Sequence, residues 1–312
     1  MLDFILAVDD PLTWHTLNLE RNPDHYSSLM RSLGPPAIAA LQQTSFGARV
    51  YFNTRIPFRT SSRFYKYGVI STQSLLTDLR AWDTLYISGR LHKPVHTLIN
   101  DASITTANSS NLHHATAAAL LTLPAAFTEQ AFYTAVAALS YAADPRFYFR
   151  AENPNKVNNL VIPNLSRFRA LYKTPLASLS NALLYAPNTT TKWKQASSRQ
   201  SLSSVISMLP LSIVGRMENI VGYKPGLSAV LKAKGMGEKE VVRAAADVLA
   251  GVGRGRIRSA VMKAVGMVVW GSSLRQSLKG VVTAGLGRSW TYAKEKLKKG
   301  WVNNCLWENA KR

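Results

Sequence analysis

Met1-Leu-Asp-Phe-Ile-Leu-Ala-Val-Asp-Asp10 reads as an apolar strand over Leu2–Val8 that carries one acidic residue, Asp3, and ends in the pair Asp9 and Asp10. A carboxylate on a mostly apolar strand is costly to desolvate unless something positive meets it. Mg²⁺ is such a partner, since it prefers oxygen ligands and accepts one or two carboxylates completed by phosphate oxygens. Asp3 is therefore the first candidate metal ligand and Asp9 the second. Asp10-Pro11 fits a turn that caps a following helix. A core strand that starts almost at residue 1 suggests a sequence that begins inside a domain.

Arg49–Phe52, Tyr65–Ser71 and Leu85–Leu91 share the aromatic and β-branched content of strands. A helix is predicted through Trp14–Leu19, a turn at Gly34-Pro35-Pro36 with a helix after it to about Gln43, and a helix over Thr72–Trp82. Beyond Asn111 the pattern is helical. Ala115–Leu123 is an Ala/Leu run, Thr128 caps a second helix, and Val157–Tyr172 reads as strand or turn around Pro163 followed by helix. Pro187–Ser204 is rich in Ser, Thr, Gln and Lys and reads as a loop or insertion, while Lys239–Ala250 and Ile257–Trp270 read as helices. The fold class is α+β: a mixed-sheet domain at 1–100, a mostly helical domain at 101–185, a variable insertion at 186–255, and a helical C-terminal region at 256–312.

The net charge of +21 is large for 312 residues and is unevenly placed. Residues 251–312 hold 13 Lys/Arg against 2 Asp/Glu, whereas residues 1–100 hold 10 against 7. An anionic partner is implied at the C-terminal end. There Leu286, Trp290, Ala293, Leu297 and Trp301 recur at helical spacing, flanked by Lys294, Lys296, Lys298 and Lys299. Such a basic amphipathic helix suits an anionic phospholipid surface, with Trp290, Lys294, Leu297, Lys298 and Trp301 as its contacts. Cys305 is the only cysteine, which excludes intramolecular disulfides and cysteine-based zinc sites. No apolar run approaches the roughly eighteen residues of a membrane span. Gly251-Val-Gly-Arg-Gly255 has no Gly-Lys-Ser/Thr after it and is not a phosphate loop. Zinc-finger, RNA-recognition and helix-turn-helix signatures are missing, so nucleic acid is not the expected partner.

An ordered set of motifs makes a resemblance specific. Trp14-His15, Asn18, Asn22 and His25-Tyr26-Ser27 follow the opening strand; Lys66-Tyr67-Gly68-Val69-Ile70-Ser71 and Gly89-Arg90-Leu91-His92-Lys93-Pro94 come next; Leu139-Ser140-Tyr141 and Ser272-Ser-Leu-Arg-Gln-Ser-Leu-Lys-Gly280 follow. Together they resemble the mitochondrial CDP-diacylglycerol synthase family of phosphatidate cytidylyltransferases. The resemblance implies a nucleotidyltransferase-like sheet domain, a Mg²⁺ cofactor, CTP and phosphatidic acid as substrates, and a peripheral place on the matrix side of the mitochondrial inner membrane in cardiolipin biosynthesis. The Gly-Ser turn that precedes the strand in this family has no counterpart here, so the sheet domain is expected to be N-terminally truncated.

Carried onto this sequence, the resemblance gives Asp3, Lys66 and Lys93 catalytic roles. Arg90, His92, Asp144, Arg146 and Lys156 become substrate or nucleotide contacts, with Asn159 beside them. Fixed cations are the usual counter to charge that develops on a leaving pyrophosphate. Ala143 stands where the family commonly has glycine, so a positive φ there would require a different loop. The alternatives are a non-catalytic basic protein that binds membrane or nucleic acid, and an inactive truncated form of the enzyme.

Overall fold

The apolar run Leu2–Val8 forms β1, and β1 lies parallel to β3 (Phe64–Ser71), which pairs antiparallel on its other side with β2 (Val50–Pro57). The sheet order is β1-β3-β2. The computed structural model describes residues 2–58, 62–143, 155–179, 183–184 and 192–284. Its described residues fall into two compact units, one of 2–76 with 271–284 and one of 77–143 with 155–270.

In the first unit, the link between β1 and α1 (Pro11–Arg21) is set by Asp10. Its carboxylate accepts from the backbone N–H of Leu12 at 3.0 Å and of Thr13 at 3.2 Å, and Pro11 supplies the preset φ of a first helical turn. α2 (Ser28–Gln43) begins well before the predicted Gly34-Pro35-Pro36 turn and kinks there, with Gly34 at φ +75°. Tyr26, Met30, Ile38 and Tyr51 form one small core, and Ile56, Tyr67 and Val69 form another with Phe4, Val8 and Trp14 packed against it. β1 and β3 supply one face of that second cluster because alternate side chains along a strand share a face.

The Ser272–Gly280 motif belongs to this unit and clamps the entry to β2. The Gln276 side-chain carbonyl accepts from the Ala48 N–H at 3.0 Å, and its amide donates to the Val50 carbonyl at 3.4 Å. The buried Lys279 ammonium donates to the Gln42 carbonyl at 3.1 Å. Burial lowers that ammonium to about 8.

The second unit is helical. After α3 (Thr72–Ala81), which runs across the division between units, come α4 (Ser88–Leu91), α5 (Ala102–Thr122), α6 (Glu129–Leu139), α7 (Lys156–Val161) and α8 (Leu165–Ala177). Then follow α9 (Arg199–Ile206), α10 (Leu211–Val221), α11 (Leu227–Ala233), α12 (Glu238–Ala250) and α13 (Arg254–Ala284). A small antiparallel sheet of β4 (Ala126–Thr128), β5 (Leu183–Leu184) and β6 (Lys192–Gln195) has the order β4-β6-β5. Thr128 caps α6 as its sequence predicts, its hydroxyl accepting from the Ala131 N–H at 3.1 Å.

Three expectations change. Leu85–Leu91 is not a strand. The buried Asp78 carboxylate takes the N–H groups of Thr84 and Leu85 on one oxygen and that of Ser88 on the other, so these donors never reach a neighbouring strand. Val157–Val161 is helix, with Pro163 in a short 3₁₀ turn after it. The stretch read as insertion supplies core: Leu202, Ile206, Ile213, Val214, Met217, Val242, Ala246 and Leu249 pack in one cluster with Leu112, Phe132 and Tyr172. Gln195 ties this stretch to the end of α5 by donating to the Leu120, Leu123 and Pro124 carbonyls. Polar spacing hid the apolar periodicity of α9 and α10. Phe147–Arg150 and the amphipathic stretch around Trp290–Trp301 lie outside the described residues.

Candidate active site

In the sheet unit, Asp3 and Lys66 are register partners across the parallel β1–β3 pair, so both side chains leave the same face. Their charged ends meet at 2.9 Å, with the Asp3 side chain 34% exposed and Lys66 19%. The Lys66 ammonium also stands 5.5 Å from the centre of the Phe52 ring. Gly68 makes that possible: a Cβ there would come within 2.6 Å of the ring's Cε1, so only glycine lets Phe52 lie across β3. Lys66-Tyr-Gly68 thus places a fixed cation beside the one carboxylate of β1. The sequence placed Phe52 on a strand but gave it no part in the site, although the glycine two residues past Lys66 was the available signal.

Asp9 sits past the other end of β1, where its carboxylate accepts from the Thr72 hydroxyl at 2.9 Å. Six residues of strand separate the two acids by roughly 20 Å. They cannot share one ion, so Asp9 is dropped as a companion ligand to Asp3. Among the described residues no three His, Cys, Asp or Glu side chains converge as a metal set. One reachable carboxylate completed by nucleotide phosphates is still a donor set that Mg²⁺ accepts, so the chemistry of Asp3 fits the ion.

The opposite face of the sheet is aromatic and self-satisfied. His15 is buried, donating from Nε2 to the Gln42 side-chain carbonyl and accepting at Nδ1 from the Tyr26 hydroxyl, each at 2.8 Å. Burial lowers it to about 4, so it is neutral at pH 7. Asn18 donates to the Tyr26 and Tyr67 hydroxyls, and the Tyr67 hydroxyl meets His25 Nδ1 at 2.8 Å. The Trp14–Tyr26 motif therefore builds a core in which His15 is satisfied by the side chains of Tyr26 and Gln42.

In the helical unit two separate motifs come together. A Cβ on Gly89 would lie 2.6 Å from Ser140 Cβ, so glycine is what lets α4 press against the end of α6. That contact brings the Lys93 ammonium to the Ser140 hydroxyl at 2.5 Å and the Gly89 carbonyl at 2.8 Å. Lys93 is 9% exposed and stands 4.7 Å from the Tyr141 ring centre, while Lys156 approaches the same ring at 5.0 Å. Arg90, one turn before Lys93, lies 5.3 Å over the Tyr86 ring. Burial, then Arg90, then Lys156 lower the Lys93 ammonium to about 7. Ser140 and Tyr141, named in the sequence only as a motif, are thus the residues that seat Lys93.

His92 is fully buried and does not face a phosphate, contrary to the expectation. Its Nε2 donates to the Asn111 side-chain carbonyl at 3.0 Å, which also receives the Trp82 indole N–H at 2.8 Å, and the Tyr172 hydroxyl donates to its backbone carbonyl. Burial, with Lys93 beside it, lowers His92 to about 3. It anchors the Gly89–Pro94 segment from behind. Ala143 holds φ +54°, so the left-handed conformation is present with alanine in place of glycine. Asp144 and Arg146 lie outside the described residues, as do Trp290, Lys294, Leu297, Lys298 and Trp301. Asn159 is exposed.

A carboxylate and a lysine paired across two adjacent strands, with a separate seated cation in the helical unit, is what charge-balanced phosphoryl chemistry asks for, but it does not by itself name the reaction. The comparisons do. A family model described as phosphatidate cytidylyltransferase, mitochondrial, matches residues 1–299. The chain belongs to this family. It is similar to the mitochondrial phosphatidate cytidylyltransferase of Danio rerio, 38% identical over 303 residues that cover 96% of this chain and 83% of the relative. The Xenopus laevis protein of the same name is 39% identical over 301 residues, with the same shares covered. The Schizosaccharomyces pombe one is 35% identical over 312 residues, covering 96% of this chain and 74% of the relative. Phosphatidate cytidylyltransferases are nucleotidyltransferases, and the mixed sheet with its helical companion is consistent with that fold. No helix among the described residues is long and apolar enough to cross a membrane.

Proposed function

We propose that this protein forms CDP-diacylglycerol and pyrophosphate from CTP and phosphatidic acid, supplying cardiolipin and phosphatidylglycerol biosynthesis. The observation that carries the reading is the Asp3–Lys66 pair, set on one face of the sheet in a chain that matches the family over nearly its whole length. An oxygen of the phosphatidate phosphate attacks the α-phosphorus of CTP. The bond from that phosphorus to the bridging oxygen of the β-phosphate breaks, and pyrophosphate leaves. A phosphomonoester has its second ionisation near pH 6, so the attacking oxygen is largely deprotonated at neutral pH and needs no general base. What remains is positioning and neutralisation of phosphate charge.

Asp3 would hold Mg²⁺ together with nucleotide phosphates, and the bound ion would supply charge neutralisation there. Lys66 stands next to that carboxylate and contributes a second positive charge on the same face. Lys93 adds a seated cation in the helical unit. Phosphatidate does not leave the bilayer, and the basic C-terminal sequence suits attachment to an anionic membrane surface. Localisation on the matrix side of the mitochondrial inner membrane, as a peripheral protein, follows from this reading and from the mitochondrial names of the relatives.

The test is formation of radiolabelled CDP-diacylglycerol from labelled CTP and phosphatidate vesicles by the full-length protein, with and without magnesium. Product with stoichiometric pyrophosphate supports the reading. Labelled CTP that stays unconverted at every magnesium concentration overturns it.

A further inference from the structure

α4 and α5 are joined by a loop whose tip, residues 95–100, is exposed throughout. Three of its side chains are aliphatic: Val95 is 57% exposed, Leu98 70% and Ile99 90%. A single exposed leucine is ordinary on a protein surface, but three aliphatic side chains on one loop tip are not what turn chemistry supplies. The loop is held at both ends within the helical unit. At its start the His92 carbonyl accepts from the Tyr172 hydroxyl at 2.8 Å, and the Lys93 ammonium donates to the Gly89 carbonyl at 2.8 Å. At its end Asp101 caps α5 by accepting from the Ile104 N–H at 2.9 Å, and the Thr105 hydroxyl donates to the Asn100 side-chain carbonyl at 2.8 Å. A built scaffold therefore presents these apolar groups to the outside.

Resting on the proposed function, we propose that this tip inserts Val95, Leu98 and Ile99 into the surface of the bilayer that carries phosphatidate. An exposure of 90% is close to that of an isolated chain, so Ile99 projects from the protein and does not line a groove. A protein partner would need a cavity shaped to receive such a tip, whereas a fluid bilayer takes it without one. The sequence of the tip agrees, since residues 94–100 hold no Asp, Glu, Lys or Arg that insertion would strip of water. Asp101, next along, turns its carboxylate back onto the first turn of α5. Insertion is shallow, because the backbone N–H and C=O groups of a loop need water or headgroups around them.

One consequence concerns Lys93. Leu98 follows it by five residues, so the two lie at most about 18 Å apart along an extended chain. A tip seated just below the lipid phosphates keeps that ammonium close to the headgroups, where the phosphate of the substrate is. The contact also differs in kind from the one read in the basic C-terminal sequence. It relies on apolar burial, which salt does not screen.

The experiment attaches an environment-sensitive nitrobenzoxadiazole fluorophore to Leu98→Cys in a Cys305→Ser background of the full-length protein, then adds vesicles of phosphatidylcholine and phosphatidate. Emission is expected to shift to the blue and to be quenched by lipids carrying a nitroxide high on the acyl chain, while aqueous iodide loses its effect. An unlabelled double variant, Leu98→Ser with Ile99→Ser, changes only exposed side chains. It is expected to lower vesicle partition by roughly 10-fold or more at low and high salt alike. Its CDP-diacylglycerol formation should fall on vesicles and stay unchanged on monomeric dihexanoyl phosphatidate. Emission that ignores vesicles, or that shifts as far with dihexanoyl phosphatidate alone, overturns the proposal. So does a double variant with wild-type partition, or one impaired equally on both forms of the substrate. Insertion with no CDP-diacylglycerol formed by the wild type would instead contradict the proposed function and leave the insertion standing.

Discussion

The carboxylate of Asp3 and the ammonium of Lys66 face each other at 2.9 Å from adjacent positions of a parallel strand pair. Both side chains reach solvent, so the pair contributes about 1 kcal/mol or less to folding. Lys66→Gln should therefore leave the urea midpoint nearly unchanged while reducing turnover by roughly 10-fold or more. A variant that unfolds much more readily than wild type would show that the pair serves the fold instead.

Gly89 and Ser140 set the position of Lys93 by contact. Gly89→Ala forces a Cβ against Ser140 Cβ, and an overpacked interior of this kind costs on the order of 1–3 kcal/mol. Removing the opposing carbon with Ser140→Gly in the same chain should restore part of the stability. Activity should stay low in the double variant, because Lys93 then lacks its hydroxyl acceptor. Additive destabilisation by the two changes would count against the contact.

Ala143 pays for a left-handed conformation that costs an L-residue roughly 1–2 kcal/mol. Ala143→Gly should raise the thermal midpoint slightly, the relief being partly offset by the greater freedom of glycine in the unfolded chain. A lowered midpoint would mean that the backbone there is not held at positive φ.

Acid should weaken the fold before most carboxylates titrate. His15 and His92 are neutral in the folded protein, with values lowered to about 4 and about 3, whereas in the unfolded chain they take up protons near 6.5. Between those limits the unfolded state binds more protons, so stability rises with pH. The contribution is fully present above about pH 6.5 and is lost progressively as pH falls, amounting to a few kcal/mol at the order-of-magnitude level. Urea unfolding at pH 7 and pH 5 should show the loss, and His15→Gln should flatten the slope. Equal midpoints at the two pH values would contradict two buried neutral imidazoles.

The clamp on β2 gives a separate stability test. Gln276→Ala strips the Ala48 N–H of its acceptor in a buried place. The expected loss is about 1–3 kcal/mol, seen as a lower urea midpoint with unchanged slope. No change would place that N–H in water.

The parts of this structure set by local chemistry were legible in the sequence. β1 shows in its apolar run, α1 in Asp10-Pro11, α6 in Thr128, and the family in its ordered motifs. Leu85–Leu91 misled because its aromatic and branched residues look like a strand, while Asp78, earlier in the chain, captures its backbone donors. The seat of Lys93 was illegible for a similar reason. Gly89 and Ser140 meet only through packing, and neither residue type signals the other. His92 looked like a phosphate contact between two basic residues, yet the turn of α4 sends it inward to Asn111. The helices α9 and α10 escaped notice because their polar exposed sides dilute the buried Leu, Val and Ile stripe that joins the core.

The most direct measurement of the central claim is the rate of CDP-diacylglycerol formation by full-length wild type and Asp3→Asn at saturating magnesium, CTP and phosphatidate. Loss of the carboxylate charge without loss of shape should lower the rate by at least about 100-fold, with thermal stability unchanged. Equal rates in the two proteins would remove Asp3 from the chemistry and contradict the account.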